Sequence, residues 1–160
     1  MITPHVRVQA ADFDIAAEEA RLTEGRRDIG ALVAFTGLCR DEDGTLNALE
    51  LEHYPGMAEA EIARVARAAV ARWPLVGLTV IHRYGKIKPG ERIVLTLAAA
   101  RHRAEAFAAA EFMMDFLKTR APFWKKIHLA DGTQGDWIEA KAEDDVAAAR
   151  WGTKPSDPAR

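Results

Sequence analysis

Apolar and polar positions along this chain follow two rhythms. Some stretches repeat every three or four residues, as on one face of a helix, and others alternate or run unbroken over the length of a strand. Val6–Gln9 reads as a short strand, and Asp14 is placed to cap a helix through about Leu22. Gly30–Leu38 (GALVAFTGL) is apolar enough to predict a strand buried on both faces. Leu46–Tyr54 carries Leu49, Leu51 and His53 on one face, which predicts a half-buried strand hairpinned to Gly30–Leu38 across the turn Asp41-Glu42-Asp43-Gly44. After Pro55-Gly56 a helix is predicted from about Met57 to Trp73, with Ile62, Val65, Ala66, Ala69, Val70 and Trp73 on its stripe. Leu78–Tyr84 and Arg92–Ala100 predict two paired strands around the turn Lys88-Pro89-Gly90-Glu91.

Arg103–Lys118 predicts a helix with Phe107, Ala110, Met114 and Leu117 on one face and Phe112, Met113 and Phe116 beside them. Apolar cover that wide implies burial on two sides, against a second subunit as well as the core. Pro122 stops the helix. Phe123–Leu129 and Trp137–Ala140 predict two last strands around Asp131-Gly132, and Glu143–Arg150 a short closing helix. Strands with interspersed helices and several hairpins predict an α+β fold with antiparallel and mixed sheets. A single domain is expected over residues 1–151, with a disordered tail over 152–160, where Gly152, Pro155 and Pro158 cluster.

Composition narrows the chemistry. The 160 residues are 49% hydrophobic and 29% charged, enough apolar material for a core. The net charge of -2 argues against a generic polyanion binder. Cys39 is the only cysteine, which excludes an internal disulfide and multi-cysteine metal sites. Ser156, the only serine, lies in the expected tail, so a rigid serine triad is excluded. Five histidines show no metal-ligand spacing, and there is no phosphate-loop, dinucleotide or zincin motif. Met1-Ile2-Thr3-Pro4-His5 does not open a signal peptide, and no window reads as a membrane span. A cytoplasmic protein without metal or cofactor is expected.

Charge is distributed unevenly. Phe116–Ala130 carries Lys118, Arg120, Lys125, Lys126 and His128 and no acid, on a chain that is anionic overall. Arg40 follows an apolar strand, and Arg101-His102-Arg103 stands at a strand-to-helix junction. A solvated basic face is the plain reading; an anion pocket, helped by the N–H groups of a helix beginning near Arg103, is the sharper one. Lys118 closes an apolar helix, where desolvation and neighbouring cations would favour a neutral amine, although a cation at a helix C-terminus also simply complements the dipole. Lys125 alternates with Phe123 and Ile127 and so shares their face. Arg40 could equally pair with the nearby acids, and Cys39 reads as a small buried hydrophobe.

Several runs together resemble the large, catalytic subunits of molybdopterin synthases. They are Ala34-Phe35-Thr36-Gly37 through Arg40, Glu52-His53-Tyr54-Pro55-Gly56-Met57, His82-Arg83-Tyr84-Gly85, His102-Arg103, and above all Phe116-Leu117-Lys118-Thr119-Arg120-Ala121-Pro122-Phe123-Trp124-Lys125. The resemblance covers about Val6 to Trp151. It implies an α/β-hammerhead-like fold and a homodimer that carries a small ubiquitin-like sulfur-carrier subunit at each end, a heterotetramer. The carrier's C-terminal Gly-Gly ends in a thiocarboxylate, and its tail would pass Phe123 and Trp124 along a strand edge. The implied substrate is cyclic pyranopterin monophosphate, which receives two sulfurs to form the dithiolene of molybdopterin. Lys118 and Lys125 would be catalytic, Lys118 as acid, base or transient nucleophile and Lys125 as its electrostatic companion. Arg40, His102 and Arg103 would bind substrate, with Lys126 beside them and Lys141 near the pocket. Cys39 and Arg101 depart from the family's usual residues. Two other classes fit the residues: an RNA- or anion-binding module using the basic island, with Phe123 and Trp124 as stacking surfaces, and a dimerisation domain without chemistry.

Overall fold

The computed structural model describes residues 1–138 and 142–152. Lys141, the end of the predicted strand at residues 139–140 and the expected tail from residue 153 lie outside the described residues. The order is β1 (His5–Gln9), α1 (Ile15–Thr23), β2 (Ala31–Leu38), β3 (Leu46–His53), α2 (Met57–Arg72), β4 (Leu75–Arg83), β5 (Gly85–Ile87), β6 (Arg92–Ala100), α3 (Arg103–Thr119), β7 (Phe123–Leu129), β8 (Gln134–Ile138) and α4 (Ala142–Ala149). The strands form two four-stranded sheets, β1-β4-β6-β2 and β5-β3-β7-β8. This is the mixed α+β domain that the sequence predicts.

In the first sheet the period of two sorts each strand between two helical layers. Leu78, Val80, Val94, Ala98 and Ala100 pack under α2 and α3, together with Ile62, Ala69, Phe112 and Phe116. Ile81, Leu95 and Leu97 face the other way, onto Phe13, Ile15 and Leu22 around α1. Asp14 caps α1 as predicted, accepting from the Ala17 N–H at 3.1 Å. The β4–β6 pairing expected from the sequence is present, running from Leu75 opposite Ala100 to His82 opposite Val94.

Three expectations are corrected. β2 and β3 do not form a hairpin: β2 pairs antiparallel with β6, while β3 pairs with β7 and β5 in the second sheet. The 41–44 turn therefore carries the chain between sheets. Nor is β2 buried on both faces. It is an edge strand, with Phe35 41% and Leu38 56% exposed. The wide apolar cover of α3 is absorbed inside the chain, by the sheet beneath it and by Trp73, Ala148 and Trp151 beside it; Phe107 remains exposed.

Gly85, at φ +91°, turns the chain out of β4 and into β5, so one continuous run serves both sheets. At the far end of the first sheet, Gly30 lets β2 start beneath the 100–102 segment. A Cβ there would lie 2.1 Å from the Arg101 carbonyl oxygen.

Candidate active site

β7 presents its residues alternately to two faces. Phe123, Lys125 and Ile127 lie opposite His53, Leu51 and Leu49 of β3. That face is the apolar one: Leu51 packs with Cys39 and Ile87, and Phe123 joins them. Lys125 is half-buried there. Lys118 arrives from the other layer, in the last turn of α3, and residues 120–122 carry the chain across to β7.

His82 is within electrostatic reach of both. It lies on the α3-covered face of β4, is only 7% exposed, and stacks on Phe123 with ring centroids 4.0 Å apart and planes 15° from parallel. Its Nδ1–H donates to the Arg83 carbonyl at 2.8 Å. Burial pushes its pKa down to about 4, the Arg83 carbonyl opposes that shift, and Lys125, Lys118 and His53 push it further down. Both lysines therefore lie within electrostatic reach of one buried ring. His53 extends the cluster, 4.4 Å from the Tyr84 ring and 5.8 Å from that of Phe123.

Lys118 itself is exposed, so the desolvation expected for it is absent in the single chain. Arg40 lies at the same end, directly after Cys39, and its exposed guanidinium pairs with Glu42. Cys39 is a buried hydrophobe, 4% exposed, and burial raises its thiol pKa, as the plain reading held. Lys126 turns to the opposite face of β7, where its Nζ sits 5.3 Å from the Trp137 ring centroid.

His102 and Arg103 are elsewhere. They open α3, whereas Lys118 closes it, about 22 Å away at 1.5 Å per residue. His102 is the N-cap and makes no side-chain capping bond, so the first N–H groups of α3 are uncapped by it. Beside them Arg101, His102 and Glu105 line a cavity of about 380 Å³ with Pro74, Leu75 and Val76. Arg40 and the lysines on one side, and His102 and Arg103 on the other, thus form two groups at opposite ends of one helix.

The basic island is less continuous than its sequence. His128 donates from Nε2 to Glu50 at 2.8 Å, and that bond lowers the Glu50 pKa. Glu50 and Glu52 also stand opposite Lys126 and Trp124 in the sheet register. Carboxylates on this face interrupt the cationic track that an RNA-binding module would need. A peptide cannot add along β7 from Lys125 onward either, because β3 and β8 flank it there.

Sequence reasoning passed over His82 and Glu50 as functional candidates. A lone histidine on an apolar strand reads as core, and Glu50 gains meaning only through a partner 78 residues away.

An α+β domain with lysines from two layers within electrostatic reach of a buried histidine is the class of protein seen here, and its relatives are specific. A profile described as "MoaE protein" matches residues 8–120. The chain is 66% identical over 151 residues to the "Molybdopterin synthase catalytic subunit" of Mesorhizobium japonicum, covering 94% of this chain and 95% of that one. The solved structure of the molybdopterin biosynthesis MoaE protein of Burkholderia ambifaria matches with TM-score 0.81 and 45% identity, covering 94% and 99% of the two chains. Molybdopterin synthase from Staphylococcus aureus matches with TM-score 0.73 and 27% identity, covering 86% and 98%. The chain belongs to the MoaE family. Its function is that of the catalytic, enzymatic subunit of molybdopterin synthase, in molybdenum cofactor biosynthesis. No helix among the described residues is long and apolar enough to cross a membrane.

Proposed function

We propose that this subunit converts cyclic pyranopterin monophosphate to molybdopterin in the cytoplasm, taking each sulfur from the C-terminal thiocarboxylate of a small carrier subunit. The observation that carries the reading is that Lys118 of α3 and Lys125 of β7 both lie within electrostatic reach of the buried His82 ring. In this reading the two amines serve proton transfer and charge stabilisation as sulfur replaces oxygen on the pterin side chain. Arg40 supplies a guanidinium for the phosphate, exchanging its surface pairing with Glu42 for a stronger anion. Lys126, turned over Trp137, is not carried into this assignment. Tyr54 and Trp124, edge-to-face at 5.3 Å and both exposed, border the same end with Met57 and offer the carrier an apolar landing surface.

His102 and Arg103 join the site only if a second copy supplies them. The β2 edge supports a homodimer that does so. Its backbone is unpaired on one side within the sheet order, and Phe35 and Leu38 are exposed along it. Antiparallel pairing of two β2 strands about a two-fold axis sets the Ala31 end of one copy beside the Leu38 end of the other. The Ala31 end adjoins Arg101–Arg103 through Ala100, and the Leu38 end adjoins Arg40. Eight residues span about 26 Å, comparable to the separation of the two groups along α3. With a carrier at each end, the assembly is a heterotetramer.

The test is direct. The purified chain is incubated with thiocarboxylated carrier and the cyclic pterin, and the product is weighed. Replacement of oxygen by two sulfurs is expected. No sulfur gain, with a carrier that remains active toward another family member, overturns the reading.

A further inference from the structure

The two lysines are held by different layers of the molecule. Lys118 rides on α3, which packs on the first sheet, and Lys125 belongs to a strand of the second. Their separation therefore depends on how the sheets are fixed to one another at this end. The covalent links there are the turn at Gly85, the crossing at residues 120–122, the segment from β2 to β3 and the turn from β5 to β6. Turns and crossings fix chain direction but leave the angle between two sheets soft.

The His82–Phe123 stack supplies a contact that fixes that angle. It joins β4 of the first sheet to β7 of the second, two residues from Lys125, and near-parallel rings at 4.0 Å tolerate little sliding or tilting. The hydrogen bond from Nδ1–H to the Arg83 carbonyl holds the imidazole in one orientation and places the proton on Nδ1, leaving a lone pair on Nε2. The ring is buried, so water does not compete for it.

We propose that His82 is a positioning residue for sulfur transfer, setting the spacing of Lys118 and Lys125 by stacking on Phe123 at the junction of the two sheets. The role rests on the reading of the lysines given above. It also requires an uncharged ring, because an imidazolium there would repel both ammonium groups. The groups that face it, Lys125, Lys118 and His53, together with burial, keep it neutral near pH 7.

The experiment compares His82→Ala, which removes the stack, with His82→Phe, which keeps a ring but not the Nδ1 bond. In the folded protein, His82→Ala is expected to lower kcat about a hundredfold, the usual cost of a misplacement of about 1 Å, with KM for the cyclic pterin changed less than about threefold. His82→Phe is expected to recover at least half of that loss on a logarithmic scale. If His82→Ala does not fold, Phe123→Leu removes the stack from the other side and is read in the same way. Nitrogen-15 spectra of the lysine amines give a readout independent of catalysis. The signals of Lys118 and Lys125 should move in His82→Ala while those of Lys86 and Lys88 stay in place.

Wild-type kcat in folded His82→Ala, or unmoved Lys118 and Lys125 signals, overturns the proposal. Equal loss in the Ala and Phe variants does so too, since the ring then counts for nothing. If the wild type itself makes no dithiolene product while the lysine signals respond to His82, the assignment of function fails and the positioning of the lysines stands.

Discussion

The two ends of α3 differ in kind. At its C-terminus, Lys118 and Lys125 lie within electrostatic reach of a buried histidine held by ring contacts. At its N-terminus, Arg101, His102 and Arg103 are exposed beside a cavity, without a comparable cluster among their described contacts. One end has a fixed ring cluster and the other has room. The difference teaches that the expected site residues of one chain stand apart, and the proposed homodimer is what would bring the two groups together.

The largest effect that would sharpen this contrast is on rate. Lys118→Ala should lower turnover by about a hundred- to ten-thousandfold, the usual worth of a positioned acid or base, while carrier binding survives. Single-turnover sulfur transfer measures it. Lys118→Arg separates the roles: loss of activity supports proton transfer or attack by the amine, and near-normal product formation leaves only charge stabilisation.

A mixing experiment tests whether the two ends belong to one site. Arg103→Ala and Lys118→Ala proteins, each nearly inactive, are unfolded together and refolded. Random dimers should regain about a quarter of wild-type activity, since half are mixed and each of those has one intact composite site. No recovery would mean that the ends act within one chain or not together.

The buried ring of His82 gives a smaller, equilibrium effect. Its folded pKa, about 4, lies below the ordinary histidine value of 6.5. Between those values the unfolded chain binds a proton that the native chain refuses, so stability falls as pH drops from about 6.5 to 4 and is fully present above that window. The contribution is on the order of 3 kcal/mol. Urea unfolding at pH 7 and pH 5 should show a difference that shrinks in His82→Phe; an identical difference in both proteins would contradict the assignment.

The smallest effect is expected at Cys39. Its side chain is sealed against Leu51 and Ile87, and burial raises its pKa, so it is not a thiolate that carries sulfur. Cys39→Ser should leave sulfur transfer within about twofold and lower stability by about 1–3 kcal/mol, the cost of burying a hydroxyl. Loss of transfer in a folded variant would show that this subunit carries sulfur itself.

Local elements were legible because local rules govern them. The predicted helix at 57–73 is observed as Met57–Arg72, and the strand at 92–100 is observed at those residues. Both have a strong period and clear stops. β5 was missed because three residues, Gly85-Lys86-Ile87, hold no period. The false β2–β3 hairpin has a different cause. Asp41-Glu42-Asp43-Gly44 is good turn chemistry, but the register of β3 is set by β7, seventy or more residues later. The lysines were visible as a basic run closing an apolar helix. Their companion His82 was not, because its meaning comes from Phe123, a residue on another sheet.

The pairing order has a consequence for synthesis of the protein. β2 finds its sheet partner only when β6 is complete at Ala100, and β3 finds β7 only after Phe123. At ordinary elongation rates the growing chain carries the apolar segment Ala31–Leu38 for about 3 to 12 s before its partner exists. That segment has no charge and no proline, the composition from which intermolecular β-stacking starts. The newborn chain is thus most vulnerable in the middle of its own translation, and a chaperone acting on it would be needed before residue 100, not after release.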